Sequence, residues 1–113
     1  MTTFDDRERA SEGLYAHDLD LMFRAKCRRD KLLALWAADQ MGMEPAEAKA
    51  YVDRIVAIDC ARTESGVFDT VAEDLRSKGL AVSEYRLRKQ MNRLTQMAWN
   101  QVMRDDRAEV ATI

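Results

Sequence analysis

The sequence predicts an all-α protein: a four-helix bundle with a long first helix and an N-terminal arm that projects or stays flexible. Three observations support this fold. The chain of 113 residues has one proline and four glycines, and it is rich in Ala, Leu, Arg and Glu, which favour helices. Apolar residues recur at helical spacing, and no segment alternates as a half-buried strand requires. Glycines divide the chain into segments that can pack antiparallel.

Glycine, proline and serine positions set the expected helix ends. Gly42, followed by Pro45, ends the first helix and starts the second. Gly66 lies in a polar break before the third helix, and Gly79 ends it. Ser83 is the expected N-cap of the last helix. The four expected helices cover 4–41, 45–60, 67–78 and 84–104.

Each expected helix carries an apolar stripe at spacings of three, four and seven, which places its members on one face. The stripes comprise Leu14, Leu21, Ala25, Leu32 and Trp36; Ala48, Tyr51, Val52, Ile55 and Ile58; Val67, Val71 and Leu75; and Leu87, Met91, Leu94, Ala98 and Val102. We therefore expect a bundle over 14–104, an arm over 1–13 and a frayed C-terminal tail over 105–113.

The residues of the arm favour a helix but include few apolar side chains that could pack in the core. Its only apolar side chains in 1–13 are those of Met1, Phe4 and Ala10. Thr3 suits an N-cap, and Asp5 lies in the first turn, where an anion favours the helix dipole. A segment of this kind either folds onto a partner or is a solvated terminus without a role.

Helix length leads to the same expectation. A helix over 4–41 would be about 57 Å long, whereas the last expected helix covers about 30 Å. The bundle cannot cover all of the first helix, so part of it must project, break or fray. Gly13 is the weakest point, costing about 1 kcal/mol of helix propensity relative to Ala.

Composition and motifs exclude several classes of function. The net charge is −2, which gives no global attraction to nucleic acid or anionic membranes. The sequence shows no membrane-spanning run and no secretory signal, so we expect a cytoplasmic protein. A single histidine, His17, and the absence of a phosphate-binding loop predict neither an enzyme nor a bound metal or cofactor.

A basic stretch on the first helix suggests a second contact surface. This stretch is a candidate docking surface for an acidic partner or, alternatively, for nucleic-acid phosphates. A solvated face is the alternative. Its members are Arg24, Lys26, Arg28, Arg29 and Lys31, and a second basic set comprises Arg86, Arg88, Lys89 and Arg93.

The first 42 residues resemble the ζ subunit family of alphaproteobacterial F1-ATPase inhibitors. The resemblance rests on the opening 1–10 and on Tyr15-Ala16-His17-Asp18, Phe23, Arg28-Arg29-Asp30-Lys31-Leu32, Trp36-Ala37-Ala38 and Gly42. Asp30 stands where the resemblance leads us to expect Asn.

The resemblance implies a regulatory subunit of the F-type ATP synthase without a cofactor. Its arm would insert between the α and β subunits of F1 beside the γ subunit and block ATP hydrolysis. When bound to the ATP synthase, the protein would lie at the periphery of the inner membrane. The implied contact residues are Thr3, Phe4, Asp5, Asp6, Arg7, Glu8, Arg9, Leu14 and Tyr15. We expect a monomer, with self-association possible. A non-inhibitory adaptor of the same fold and a small nucleic-acid-associated protein remain the alternatives.

Overall fold

The structure is a computed structural model that describes the backbone of residues 3–61 and 64–111 and the side chains of residues 13, 16–58 and 66–111. The described backbone forms four α-helices and no strand, which confirms the all-α fold. The helices are α1 (Thr3–Gln40), α2 (Pro45–Ala61), α3 (Glu64–Ser77) and α4 (Glu84–Ala111).

Helix α1 is the element around which the others are arranged. It packs against α2 and α4, and α3 contacts the other three helices. Its 38 residues correspond to about 57 Å of helix, in a molecule that measures 66 Å along its longest axis. The main core lies toward the C-terminal end of α1, where Leu33, Ala34, Ala37 and Ala38 are all buried.

The apolar stripes predict the core well in α4 and less well in α1. All five stripe residues of α4 are buried, and so are all three of α3. In α1, Leu32 and Trp36 are only partly buried, and Leu14 lies outside the described side chains. Because α1 contacts helices on several sides, its buried face is wider than a single stripe and is centred on Leu33 and Ala37.

The predicted helix ends at Gly42 and Gly79 are confirmed. Both glycines have positive φ, 67° and 76°, a conformation that glycine adopts without strain. The Met43 amide donates to the Ala38 carbonyl at 3.0 Å, and the Leu80 amide donates to Leu75 at 3.0 Å. These six-residue closures are Schellman motifs, and they satisfy carbonyls that the helix would otherwise leave without a partner.

The start of α4 also agrees with the sequence. The Arg86 amide donates to the Ser83 hydroxyl oxygen at 3.1 Å. This bond satisfies one of the free amides of the first turn, as expected for an N-cap.

Two predicted boundaries are wrong. Gly66 lies inside α3, because that helix begins at Glu64. A single glycine costs about 1 kcal/mol, and the burial of Val67, Val71 and Leu75 offsets more than that. The expected frayed tail over 105–113 is helical over 105–111, because acidic residues there pair with α1; residues 112–113 lie outside the described residues.

A partly buried hydrogen bond joins α2 to α3. The Tyr51 hydroxyl donates to the Asp74 carboxylate at 2.9 Å, and Arg54 donates to the same oxygen at 2.9 Å. Burial, and next the hydrogen bond to Asp74, raise the pKa of Tyr51 well above its ordinary value of 10.0. The neutral phenol is therefore the form that the fold stabilises.

Replacing Leu33 by Ala should destabilise the bundle by about 2–5 kcal/mol, because it opens a cavity in the main core. Leu35, on the same helix, is 43% exposed, whereas Leu33 is fully buried. Leu35→Ala is therefore the matched control, with an expected loss below about 1 kcal/mol. Urea unfolding followed by circular dichroism measures both values, and equal losses would contradict this placement of the core.

We expect Tyr51 to make the free energy of unfolding depend on pH in the alkaline range. Because its folded pKa is raised, its contribution is complete below about pH 10 and is lost as the pH rises above that value. Between about pH 8 and 11, wild type should lose stability relative to Tyr51→Phe. Chemical unfolding of both proteins at each pH gives the difference, and a difference independent of pH would refute the assignment.

Candidate functional site

The N-terminal part of α1 extends past the core of the molecule. Leu21 is the first buried residue among the described side chains. Before it, Gly13 and all five residues from 16 to 20 are exposed. The helix therefore runs beyond the point at which the bundle covers it.

The predicted inhibitory residues fall on this part of α1. Their backbone belongs to the helix, which begins at Thr3. Their side chains lie outside the described residues: Thr3, Phe4, Asp5, Asp6, Arg7, Glu8, Arg9, Leu14 and Tyr15. Their contact role stays a prediction.

The described part of α1 next to the arm has an exposed apolar face. Leu19, Met22 and Phe23 are 46%, 54% and 58% exposed. Their spacing of three and four places them together, and we call them the α1 apolar surface. Met22 and Phe23 also line a groove of about 240 Å³ beside Trp99 of α4. Clustered exposed apolar side chains are typical of surfaces that bind a protein partner.

A second, smaller core holds this part of α1 to the end of α4. Leu21, Ala25 and Val102 are buried together, and Trp99 packs against them. We call these four residues the minor core. Along α1 it lies about two to three turns N-terminal of the main core, so it holds the part of the helix that adjoins the arm.

Ion pairs between α1 and α4 flank the minor core. Arg28 donates to Asp105 at 3.1 Å and to the Gln101 side chain at 2.9 Å. An oxygen of Glu109 lies 3.6 Å from Arg24. Together with Asp106, which lies 3.3 Å from the ring of His17, these contacts form what we call the α1–α4 clasp.

The clasp changes the interpretation of the predicted basic patch. Arg24 and Arg28 pair with carboxylates of the same chain, and Arg29 is only 4% exposed. Lys26 is partly buried, whereas Lys31 is exposed. The five residues therefore do not form one free basic surface. Acidic residues of α4 pair with two of them, and Arg29 is buried in the bundle.

Arg29 and Asp30 form a buried ion pair between the minor core and the main core. Two guanidinium nitrogens of Arg29 donate to Asp30 Oδ1, at 2.7 and 3.0 Å. Asp30 is fully buried. Charges removed from water need such partners, because an isolated buried charge costs several kcal/mol.

Sequence reasoning missed the clasp, although a signal for it was present. Asp105, Asp106 and Glu109 continue the spacing of the α4 stripe beyond Val102. Acidic residues on that continued face complement the cations of α1 in an antiparallel pair.

No group of three or more potential metal ligands occurs among the described residues. Within the same part of the chain, no helix combines the length and the apolar character that crossing a membrane requires.

The fold and the site define a small helical protein whose first helix extends beyond its own core. The chain belongs to the ATPase inhibitor subunit zeta family, whose model matches residues 1–101. Comparisons with curated proteins and with solved structures gave no match. The acidic residues of the clasp lie past the matched range.

Removing the cation of the buried pair should be costly. Arg29→Met leaves the carboxylate of Asp30 in the interior, and the expected loss of stability is about 3–5 kcal/mol. Arg29→Met combined with Asp30→Asn buries no charge and should lose clearly less than the single variant.

The matched control is Arg28→Met, because Arg28 is partly exposed and its pairing with Asp105 should contribute less than about 1 kcal/mol. Urea unfolding of wild type, Arg29→Met, the double variant and Arg28→Met gives the four free energies of unfolding that are compared. A double variant that is less stable than Arg29→Met would show that the pair is not a buried charge pair.

Proposed function

We propose that this protein inhibits ATP hydrolysis by the F-type ATP synthase. It does so by inserting the arm, the N-terminal part of α1, at the αβ interface of F1 beside the γ subunit. The protein acts by binding and not by catalysis. The observation that carries the proposal is a family match that includes the whole arm, on a helix that continues past the bundle core.

The exposure of α1 supports an arm that is available to a partner. Every described side chain before Leu21 is exposed, and the arm sequence has few apolar residues with which to reach its own core. A partner that encloses the arm therefore competes with water and not with the bundle.

The α1 apolar surface supports a contact that continues beyond the arm. Leu19, Met22 and Phe23 lie on the same helix, directly C-terminal to the arm. When the arm is enclosed by a partner, these residues lie at the entrance of the binding site. Their burial there would add to the affinity, at about 25 cal/mol per Å² of apolar area.

Helix-forming residues in the arm reduce the cost of insertion. Ordering a flexible segment on binding opposes association. Because the packed part of α1 from Leu21 onward is continuous with the arm helix, the arm needs no separate helix nucleation on binding. Insertion therefore costs less than folding an isolated peptide.

Deleting residues 1–13 should abolish inhibition of ATP hydrolysis by F1 and leave thermal unfolding of the bundle unchanged. Phe4→Ala tests the one large aromatic side chain of the arm and should weaken inhibition about tenfold or more. Leu35→Ala, an exposed apolar variant in the packed part of α1, is the matched control and should inhibit like wild type.

The measurement is the rate of ATP hydrolysis by F1 from the same source, titrated with each variant. Equal inhibition by the truncated chain would reject insertion of the arm. The melting curve of each variant shows whether any loss arises from unfolding of the bundle instead.

A further inference from the structure

A basic groove lies at the end of the molecule opposite the arm. The C-terminal part of α1 and the first turns of α4 enclose about 530 Å³ there. Its cations are Arg86, Lys89 and Arg93 of α4, and its rings are those of Trp36 and Tyr85. We call this site the α4 basic groove.

The three cations are free of carboxylate partners among the described side chains. The Arg93 side chain donates only to the neutral Gln90, at 3.3 Å, and no described acid pairs with Arg86 or Lys89. Arg88, which lies between Arg86 and Lys89 in sequence, differs: it pairs with Glu84 at 3.3 Å and covers the Phe68 ring. The groove thus concentrates three positive charges in a chain whose net charge is −2.

The spacing of the cations defines an elongated surface. Arg86, Lys89 and Arg93 follow one another at three and four residues, so they lie along one face of α4 over about 10 Å. All three are exposed. A row of this length matches two or three carboxylates on a neighbouring helix or extended segment.

The two aromatic residues add an apolar part to the same groove. Tyr85 is 75% exposed, the largest exposure among the exposed large hydrophobic residues described. Trp36 is partly buried and is anchored against the main core. Exposed Tyr and anchored Trp beside Arg are the residues that contribute most to binding at protein interfaces.

We propose that the α4 basic groove binds an acidic polypeptide segment that carries an aromatic or aliphatic side chain. Carboxylates of that segment pair with Arg86, Lys89 and Arg93, and its apolar side chain packs between Trp36 and Tyr85. The charge complementarity of an unpaired cationic row selects an acidic occupant. A protein segment fits better than nucleic acid, because the net negative charge of the chain opposes a long polyanion.

This site is separate from the arm. Trp36 and Gly13 are 23 positions apart on one helix, which corresponds to about 35 Å. The groove therefore contacts a different surface from the one that receives the arm, and its binding does not depend on the inhibitory role proposed above.

The test uses the full chain and a fluorescein-labelled synthetic peptide of about twelve residues, rich in glutamate with a central phenylalanine. Fluorescence anisotropy gives the affinity, and amide shifts in a ¹H–¹⁵N spectrum locate the site. We expect saturable binding with the largest shifts between Tyr85 and Arg93. Charge reversal by Lys89→Glu with Arg93→Glu should weaken binding at least about tenfold.

Lys49→Glu is the matched control, because Lys49 is exposed on α2, away from the groove, and it should bind the peptide like wild type. A peptide with serine in place of the phenylalanine should bind clearly more weakly. Thermal melts verify that each variant is folded, and deletion of residues 1–13 should leave the affinity unchanged.

Three results would overturn the proposal: no saturable binding of the peptide, equal weakening by the Lys49 and the Lys89/Arg93 variants, or tighter binding of single-stranded DNA than of the peptide through the same three cations. The last result would identify the groove as a site for nucleic acid.

Discussion

The packing of α1 against α4 is the contact on which the shape of this protein depends. The two helices meet twice: in the main core, through residues such as Leu33 and Leu87, and again in the minor core at Leu21 and Val102. Two contacts along one helix fix both its position and its direction. Since Leu21 is the first buried residue among the described side chains, the same packing also limits how far along α1 the described core reaches.

This arrangement suits the insertion proposed above. If the arm is inserted into F1 as proposed, the body that carries it has to hold the helix firmly. The minor core and the clasp lie directly behind the arm, where Arg24 and Arg28 meet the acidic end of α4. Exposed ion pairs contribute little individually, so the apolar contact of Trp99 and Val102 provides most of the stability there.

Much of the fold could be predicted from the sequence, because it depends on local rules. Helix ends at Gly42 and Gly79 follow from the need for positive φ. The α4 stripe agrees with the buried residues, because that helix packs through one face. The buried face of α1 was displaced from its predicted stripe, because several helices pack around α1, and no local pattern specifies how many neighbours a helix has.

The candidate site was harder to predict. From the sequence alone, the basic stretch on α1 predicts a docking patch and the end of α4 predicts a frayed tail. Their pairing depends on antiparallel register, which brings residues 77 positions apart, such as Arg28 and Asp105, into contact. Burial of Arg29 and Asp30 likewise depends on tertiary packing, since charged side chains are normally expected at the surface.

We propose that the arm is uncovered in the free protein and becomes enclosed on F1. Amide hydrogen exchange of residues 3–13, measured on the free protein and on its complex with F1, tests this claim most directly. We expect rapid exchange in the free protein and strong protection in the complex, while the amides of Leu33–Ala38 stay protected in both. Protection of 3–13 in the free protein equal to that of the main core, or no gain of protection on F1, would contradict the claim.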